Sequence, residues 1–194
     1  MTLKEAGFSE VYSMAGGIDA WDGLVAEGSY DAGMVYFSRA SGAEELISLA
    51  FSLEEGNRVF YEHVAREAGD EEGASLFRWL VLAEERHKKS LRDIYSRSAG
   101  KDADPAPPEG MEAGSFMEGG IPVGEALSWA REKGTREILE LAVAMEANSL
   151  DRYIKMVRTV ENDQTREVFR ALAGEEQGHL ERMTSLLNRL RAKG

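Results

Sequence analysis

A set of four chemically active residues (Glu, Tyr, Glu and His) occurs twice along the chain with the same spacing. The first copy consists of Glu54, Tyr61, Glu84 and His87, and the second of Glu146, Tyr153, Glu176 and His179. Each residue of the second copy lies 92 positions after its counterpart in the first. This fixed offset predicts two units built alike, here two helical hairpins that each supply half of one site.

Each repeated glutamate interrupts a stripe of apolar residues. The positions seven, four and three residues before it are apolar in all four cases, as with Ile47, Ala50 and Phe51 before Glu54. These positions share one face of an α-helix with the glutamate, so each carboxylate is expected to face the core. Buried carboxylates are costly and repel one another, so the four must either take up protons or surround cations. Two divalent ions would neutralise their four charges.

The pattern around these residues predicts four long helices and one short one. The long helices are expected at about residues 42–68, 71–98, 135–160 and 163–192, and the short one at residues 123–133. A capping box from Ser41 to Glu44 should open the first helix, and Asn162 or Asp163 should cap the fourth.

The connection between the second and third long helices limits the topology. All four prolines and many glycines lie between residues 99 and 122, which predicts a long irregular segment. Two hairpins joined by one long link indicate an all-α, ferritin-like four-helix bundle with a single crossover. The alternative, an up-down-up-down bundle, would not need a connection of this length.

The two histidines complete a set of metal ligands. Each lies three positions after a repeated glutamate, so both side chains of a pair can reach one ion. In di-iron carboxylate bundles, two helices contribute one Glu each and the other two contribute a Glu-x-x-His pair. The sequence therefore predicts six metal ligands, which are also the residues where chemistry would occur: Glu54, Glu84, His87, Glu146, Glu176 and His179.

The repeated tyrosines lie seven residues after Glu54 and Glu146, on the same helix faces. We predict that Tyr61 and Tyr153 hydrogen-bond to ligand carboxylates and orient them, and the alternative is packing in the core. Oxygen and imidazole ligands favour iron or manganese, and zinc binds such sites more tightly than ferrous iron.

The composition excludes several classes of protein. The 194-residue chain has no cysteine, which excludes disulfides, zinc ribbons, rubredoxin-type iron and thiol nucleophiles, and fits the cytoplasmic location that we predict. The net charge of −12 argues against nucleic acid and anionic membrane surfaces as partners. No stretch approaches the roughly 18 apolar residues of a membrane span, and no signal peptide is visible.

From about Ala43 to Arg191, the sequence resembles the rubrerythrin and ferritin-like di-iron proteins. The resemblance is carried by LISLAFSLEEGNRVFYEHVA, LFRWLVLAEERHKKSL, ILELAVAMEANSLDRYIKMV and VFRALAGEEQGHLERM. It implies two iron ions per chain, with manganese or zinc as substitutes and without haem, bridged by Glu84 and Glu176. It also implies reaction with hydrogen peroxide or dioxygen, a role in oxidative stress, and a homodimer.

Two features depart from the classical rubrerythrins. Those proteins carry a cysteine-bound rubredoxin iron that passes electrons in, so this chain is expected to use an external electron donor protein. They also place a further glutamate one turn after the third-helix ligand, where this chain has Ser149. In the family that carboxylate accompanies redox-linked movement of one iron, so its absence weakens the expectation of efficient peroxidase turnover.

The N-terminal residues 1–28 resemble the end of a rhodanese domain. The resemblance rests on Gly7, Phe8, Val11, Tyr12, Gly16, Gly17, Ile18 and Trp21. A short strand–turn–helix arm is predicted here, followed by a connector over residues 29–41 and the di-iron bundle over residues 42–194. The sulfur-accepting cysteine of rhodaneses belongs to the part not matched, so no sulfurtransferase activity is expected.

Three functions remain open at this stage. The first is a non-haem di-iron oxidoreductase that reduces hydrogen peroxide or dioxygen. The second is an iron-binding, ferroxidase or sensor module that oxidises its iron without rapid turnover. The third is a bundle that serves a rhodanese partner and uses metal only to support its fold.

Overall fold

The computed structural model describes residues 43–99 and 104–193. The four long helices are α1 (Ala43–Glu67), α2 (Glu71–Ala99), α4 (Thr135–Thr159) and α5 (Asp163–Lys193). Between α2 and α4 lie strand β1 (Phe116–Met117), a 3-10 turn (Glu118–Gly120), strand β2 (Ile121–Pro122) and helix α3 (Val123–Ala130). The predicted all-α class is confirmed, whereas the N-terminal arm and the capping box at Ser41 lie outside the described residues.

Side-chain caps begin two of the long helices. The backbone N–H of Thr165 donates to Asn162 Oδ1 at 2.9 Å, so Asn162 rather than Asp163 caps α5. The N–H of Gly73 donates to Asp70 Oδ1 at 2.7 Å at the start of α2. Both caps satisfy N–H groups that the first turn of a helix leaves without partners.

The connection between α2 and α4 is more ordered than the expected irregular segment. Strands β1 and β2 pair antiparallel, and Gly119 (φ 80°) and Gly120 (φ 73°) supply the left-handed backbone of the turn between them. The connection packs against α1 at Gly56, where a Cβ atom would lie only 1.9 Å from the carbonyl oxygen of Phe116. Proline and glycine content indicated a loop, but contact with α1 decides its conformation.

The positions of two apolar clusters along the helices show the direction in which each helix runs. The first contains Phe77 and Leu139, and the second contains Phe51 and Phe169. Along the chain, α1 and α5 run from the second cluster to the first, whereas α2 and α4 run from the first to the second. Because α2 and α4 run in the same direction, their connection must return along the bundle. This is the single crossover of ferritin-like bundles and excludes the up-down-up-down alternative.

None of the helices in the described part of the chain has an apolar run that would span a lipid bilayer.

Candidate metal centre

The six predicted ligands lie together in the middle of the bundle. On every long helix they fall between the residues of the first apolar cluster and those of the second. Each of the six is at most 3% exposed: Glu54, Glu84, His87, Glu146, Glu176 and His179. The helical stripes therefore deliver these polar groups into the core, as their spacing indicated.

The ligand atoms form two overlapping groups. Glu54, Glu84 and His87 make one group, and His87, Glu176 and His179 make the other, with the atoms of each group within 4.8 Å of one another. His87 Nδ1 is 3.6 Å from Glu54 Oε2, and His179 Nδ1 is 2.9 Å from Glu146 Oε2. The two imidazole rings stack with their centroids 5.1 Å apart.

The two tyrosines link the hairpins. The hydroxyl of Tyr61 on α1 donates to Glu146 Oε1 on α4 at 2.6 Å. The hydroxyl of Tyr153 on α4 donates to Glu54 Oε1 on α1. Both tyrosines are fully buried. Each phenol thus holds one oxygen of the glutamate that belongs to the other hairpin.

Sequence reasoning missed an ion pair beside Glu54. Arg152 Nη2 donates to Glu54 Oε1 at 2.9 Å, and Arg152 Nε donates to Glu118 Oε1 at 2.6 Å. Aligning the two copies at their 92-residue offset would have given a signal, because Arg152 then falls opposite the apolar Phe60. Glu118 had no such signal, since it lies in the connection and outside any helical stripe.

The two histidines also have different surroundings. His87 Nε2 lies 3.5 Å from Glu175 Oε2, and the Glu175 side chain is 44% exposed in a surface cleft beside Ala171. His179 instead packs edge-on against Trp79, with centroids 5.0 Å apart. Trp79 and Ala171 are counterparts in the repeat. The large ring of Trp79 therefore lies beside His179, whereas the small Ala171 lines the cleft that Glu175 shares and that lies near His87.

Charge coupling separates the pKa values of Glu54 and Glu84. Burial would raise the pKa of Glu54, but contacts with Glu84 and His87 and the positive charges of His87 and Arg152 lower it well below its ordinary value. Burial and the negative charge of Glu54 raise the pKa of Glu84 well above its ordinary value. In the metal-free protein, a proton shared by these two carboxylates therefore favours Glu84 over Glu54.

The other half of the site behaves similarly. Burial and the charge of Glu176 raise the pKa of Glu146 to about 8. Burial opposes ionisation of Glu176, but contacts with His179 and His87 lower its pKa to about 2. Burial also disfavours the imidazolium form of His179, but contacts with both glutamates raise its pKa to about 9. Without cations, the cluster compensates its charge by binding protons.

The buried ligand atoms fit a metal centre. Glu54 Oε2, Glu84 Oε2, both nitrogens of His87 and both carboxylate oxygens of Glu176 are buried without a hydrogen bond of good geometry. Buried polar atoms normally have partners, so this many unsatisfied atoms at one place needs an explanation. Four carboxylates and two imidazoles provide the donor set of a di-iron or di-manganese bundle site.

Comparison of the sequence with known proteins assigns the chain to a family. The family model described as Rubrerythrin matches residues 45–112 and 137–193, which is more than half of the chain. The chain belongs to the rubrerythrin family. Rubrerythrins are di-iron proteins, and the arrangement of the buried Glu and His groups in this member fits metal binding.

A solved structure also resembles the chain. A hypothetical protein from Pyrococcus furiosus aligns with a TM-score of 0.60 and 23% identity, covering 78% of this chain and 92% of that one. At this identity the match supports the fold alone. No curated protein sequence matches the chain.

Proposed function

We propose that this rubrerythrin-family protein is a non-haem di-iron oxidoreductase that reduces hydrogen peroxide or dioxygen, with electrons from an external donor protein. The observation that carries the proposal is the group of unsatisfied carboxylate and imidazole atoms buried in the middle of the bundle. Family membership supports iron as the metal.

The six ligands divide by hairpin. Their contacts suggest that Glu54 and His87 would hold one ion and that Glu146 and His179 would hold the other. Glu84 and Glu176 would bridge the two ions, as the family resemblance implies. Two bound ferrous ions would supply the two electrons that convert hydrogen peroxide and two protons into two water molecules, or dioxygen and two protons into hydrogen peroxide.

The residues around the proposed site would orient its ligands and keep water away from them. Tyr61 and Tyr153 each hold one oxygen of a ligand glutamate, which restricts the orientation of the carboxylate. The apolar clusters on either side exclude water and lower the local dielectric, which strengthens every charge interaction within the site. The carboxylates must release their protons for metal to bind, so the site exchanges protons for cations.

The first test is a metal count. The protein is loaded anaerobically with ferrous iron, freed of excess metal, and analysed for iron before and after one equivalent of hydrogen peroxide. We expect about two irons per chain, from the ligand inventory of such bundles, and a new charge-transfer absorption on oxidation. Less than about one iron per chain, or no change in absorption, would reject the proposal. Stopped-flow oxidation without preference for peroxide over dioxygen would reject the peroxidase version.

A second candidate is an iron-binding, ferroxidase or sensor module without rapid turnover. The observation that favours it is Ser149, which is fully buried with an unpartnered Oγ at the position where classical rubrerythrins carry a further glutamate. Repeated additions of peroxide in the presence of a reductant separate the candidates. An oxidoreductase consumes peroxide at every addition, whereas the module oxidises its iron once per load.

A purely structural metal predicts a different result. The variants Glu84→Ala and Glu176→Ala would then impair folding of the metal-loaded protein as well as its activity. The homodimer, the cytoplasmic location and the rhodanese origin of residues 1–28 stay predictions.

A further inference from the structure

The two halves of the proposed metal site are unequal at the carboxylates that the tyrosines hold. Glu146 Oε1 accepts a hydrogen bond from the neutral phenol of Tyr61. Glu54 Oε1 accepts one from the phenol of Tyr153 and a second from the guanidinium of Arg152 at 2.9 Å. The repeat counterpart of Arg152 is Phe60, which is fully buried, so the matching position holds an apolar side chain instead of a guanidinium.

The guanidinium of Arg152 is held in place from several sides. Arg152 is only 6% exposed, and it lies over the ring of Tyr153, 4.1 Å from the centroid. Its Nε donates to Glu118 Oε1 at 2.6 Å, and Glu118 is itself only 3% exposed. The N–H of Glu118 donates to Asn57 Oδ1 at 3.1 Å, which ties the 3-10 turn to α1. Glu118 therefore balances the positive charge of Arg152 and fixes the orientation of its guanidinium.

This arrangement affects how Glu54 can bind a cation. The guanidinium withdraws electron density from the Glu54 carboxylate and repels a metal ion beside it. It also occupies Oε1, which leaves Oε2 as the buried oxygen without a hydrogen bond. Among the described residues, Glu146 accepts from Tyr61 and contacts His179, without a guanidinium, so its carboxylate is the stronger ligand for a divalent ion.

We propose that Arg152, supported by Glu118, is a positioning residue that makes the two metal positions unequal. The position at Glu54 and His87 binds a divalent ion more weakly than the position at Glu146 and His179, so the second position fills first. This inference rests on the proposed two-metal site.

The test is a titration of the metal-free protein with Co²⁺, followed by visible absorption and by calorimetry, at a pH above the pKa of about 7 that burial gives Glu118, so that its carboxylate is ionised. The unmodified protein is expected to bind two ions in two steps whose affinities differ about tenfold or more. In the double variant Arg152→Gln/Glu118→Gln, which removes both charges and keeps polar side chains, the weaker step should tighten about tenfold and the stronger step should not move.

The single variant Glu118→Gln should act in the opposite direction. It leaves the charge of Arg152 unbalanced beside Glu54, so the weaker step should weaken further, by about tenfold. Opposite shifts in one step are what an electrostatic role requires, whereas a merely structural role would move both variants in the same direction. If Glu118→Gln does not fold, Arg152→Lys, which keeps the charge, is expected to retain two unequal steps.

Two ligand variants, each combined with the Glu118 and Arg152 changes, identify the metal position whose affinity responds to those changes. In His179→Ala, the remaining step belongs to Glu54 and His87 and should respond to the Glu118 and Arg152 changes. In His87→Ala, the remaining step should not respond. A matched control is Arg58→Gln/Glu55→Gln, which removes a half-buried ion pair of 2.8 Å on α1 next to Glu54 and should leave both steps unchanged.

The outcomes separate the two proposals. Fewer than two Co²⁺ ions bound by the unmodified protein would overturn both the metal site and this inference. Two ions bound with equal affinity, or with both steps shifted alike in the variants, would overturn only the role of Arg152. Circular dichroism and thermal melting of each metal-free variant establish that the shifts do not come from unfolding.

Discussion

At the residue scale, the two phenols that hold ligand carboxylates are expected to differ in importance. Tyr61→Phe removes the phenol that donates to Glu146 Oε1, whereas Tyr153→Phe leaves Arg152 donating to Glu54. We expect Tyr61→Phe to weaken metal binding at its position by about tenfold or more, and to lower the stability of the metal-free protein by about 1 kcal/mol. Tyr153→Phe should have the smaller effect on its own position.

Metal titration and thermal melting measure both effects. Tyr95→Phe is the control, since Tyr95 is also a buried tyrosine but packs in the second apolar cluster, away from the ligands. The interpretation fails if Tyr61→Phe binds metal as tightly as the Tyr95 variant does.

At the element scale, the β1–β2 hairpin, whose turn carries Glu118, can pack closely against α1 because residue 56 is a glycine. Gly56→Ala would place a Cβ atom 1.9 Å from the carbonyl oxygen of Phe116, so β1 would have to move away from α1. Such overpacking costs about 1–3 kcal/mol, and it should also displace Glu118 from Arg152. We expect a lower melting temperature and a changed affinity at the Glu54 position.

A second glycine provides the matched control. Gly174 lies inside α5 with no atom within 4 Å of an added Cβ. Gly174→Ala should therefore stabilise the protein by about 0.5–1 kcal/mol through helix propensity alone. Equal melting temperatures for the two variants would show that the contact of the β1–β2 hairpin with α1 contributes nothing to stability.

At the scale of the whole molecule, the buried cluster should make the metal-free protein less stable as pH rises, while the stabilisation that bound metal adds should increase. The pKa values of Glu118 (about 7), Glu146 (about 8) and His179 (about 9) lie above their ordinary values of 4.5, 4.5 and 6.5. Each group binds its proton more tightly in the folded state, so its contribution is complete below the ordinary pKa and is lost as pH rises through the folded pKa. The lowered pKa of Glu176 acts only below pH 4.5.

We therefore expect the melting temperature of the metal-free protein to fall between about pH 5 and pH 9. Metal needs deprotonated ligands, so the increase in melting temperature caused by bound metal should grow over the same range. Melting curves with a chelator and with excess metal, at matched ionic strength, measure both trends. A metal-free protein that becomes more stable with rising pH would contradict this account, and Glu146→Gln should reduce the slope.

The sequence by itself determined the helices, the two-hairpin organisation and the six side chains that converge in the core. This was possible because helical periodicity is local: a glutamate on an apolar stripe, with a histidine three positions later, specifies a buried face without knowledge of the partner helix. The fixed offset between the two copies then related the hairpins to each other.

Tertiary structure alone decided which groups from different elements touch these ligands. Tyr153 reaches Glu54 across 99 positions of sequence, and Arg152 reaches Glu118 across 34. The conformation of the connection depended on Gly56 allowing close approach, which neither proline content nor local propensity encodes. Such contacts arise only when helices pack, so the repeat predicted a symmetric set of candidate ligands, while packing decided which unlike neighbours, such as Arg152 at Glu54, contact each half.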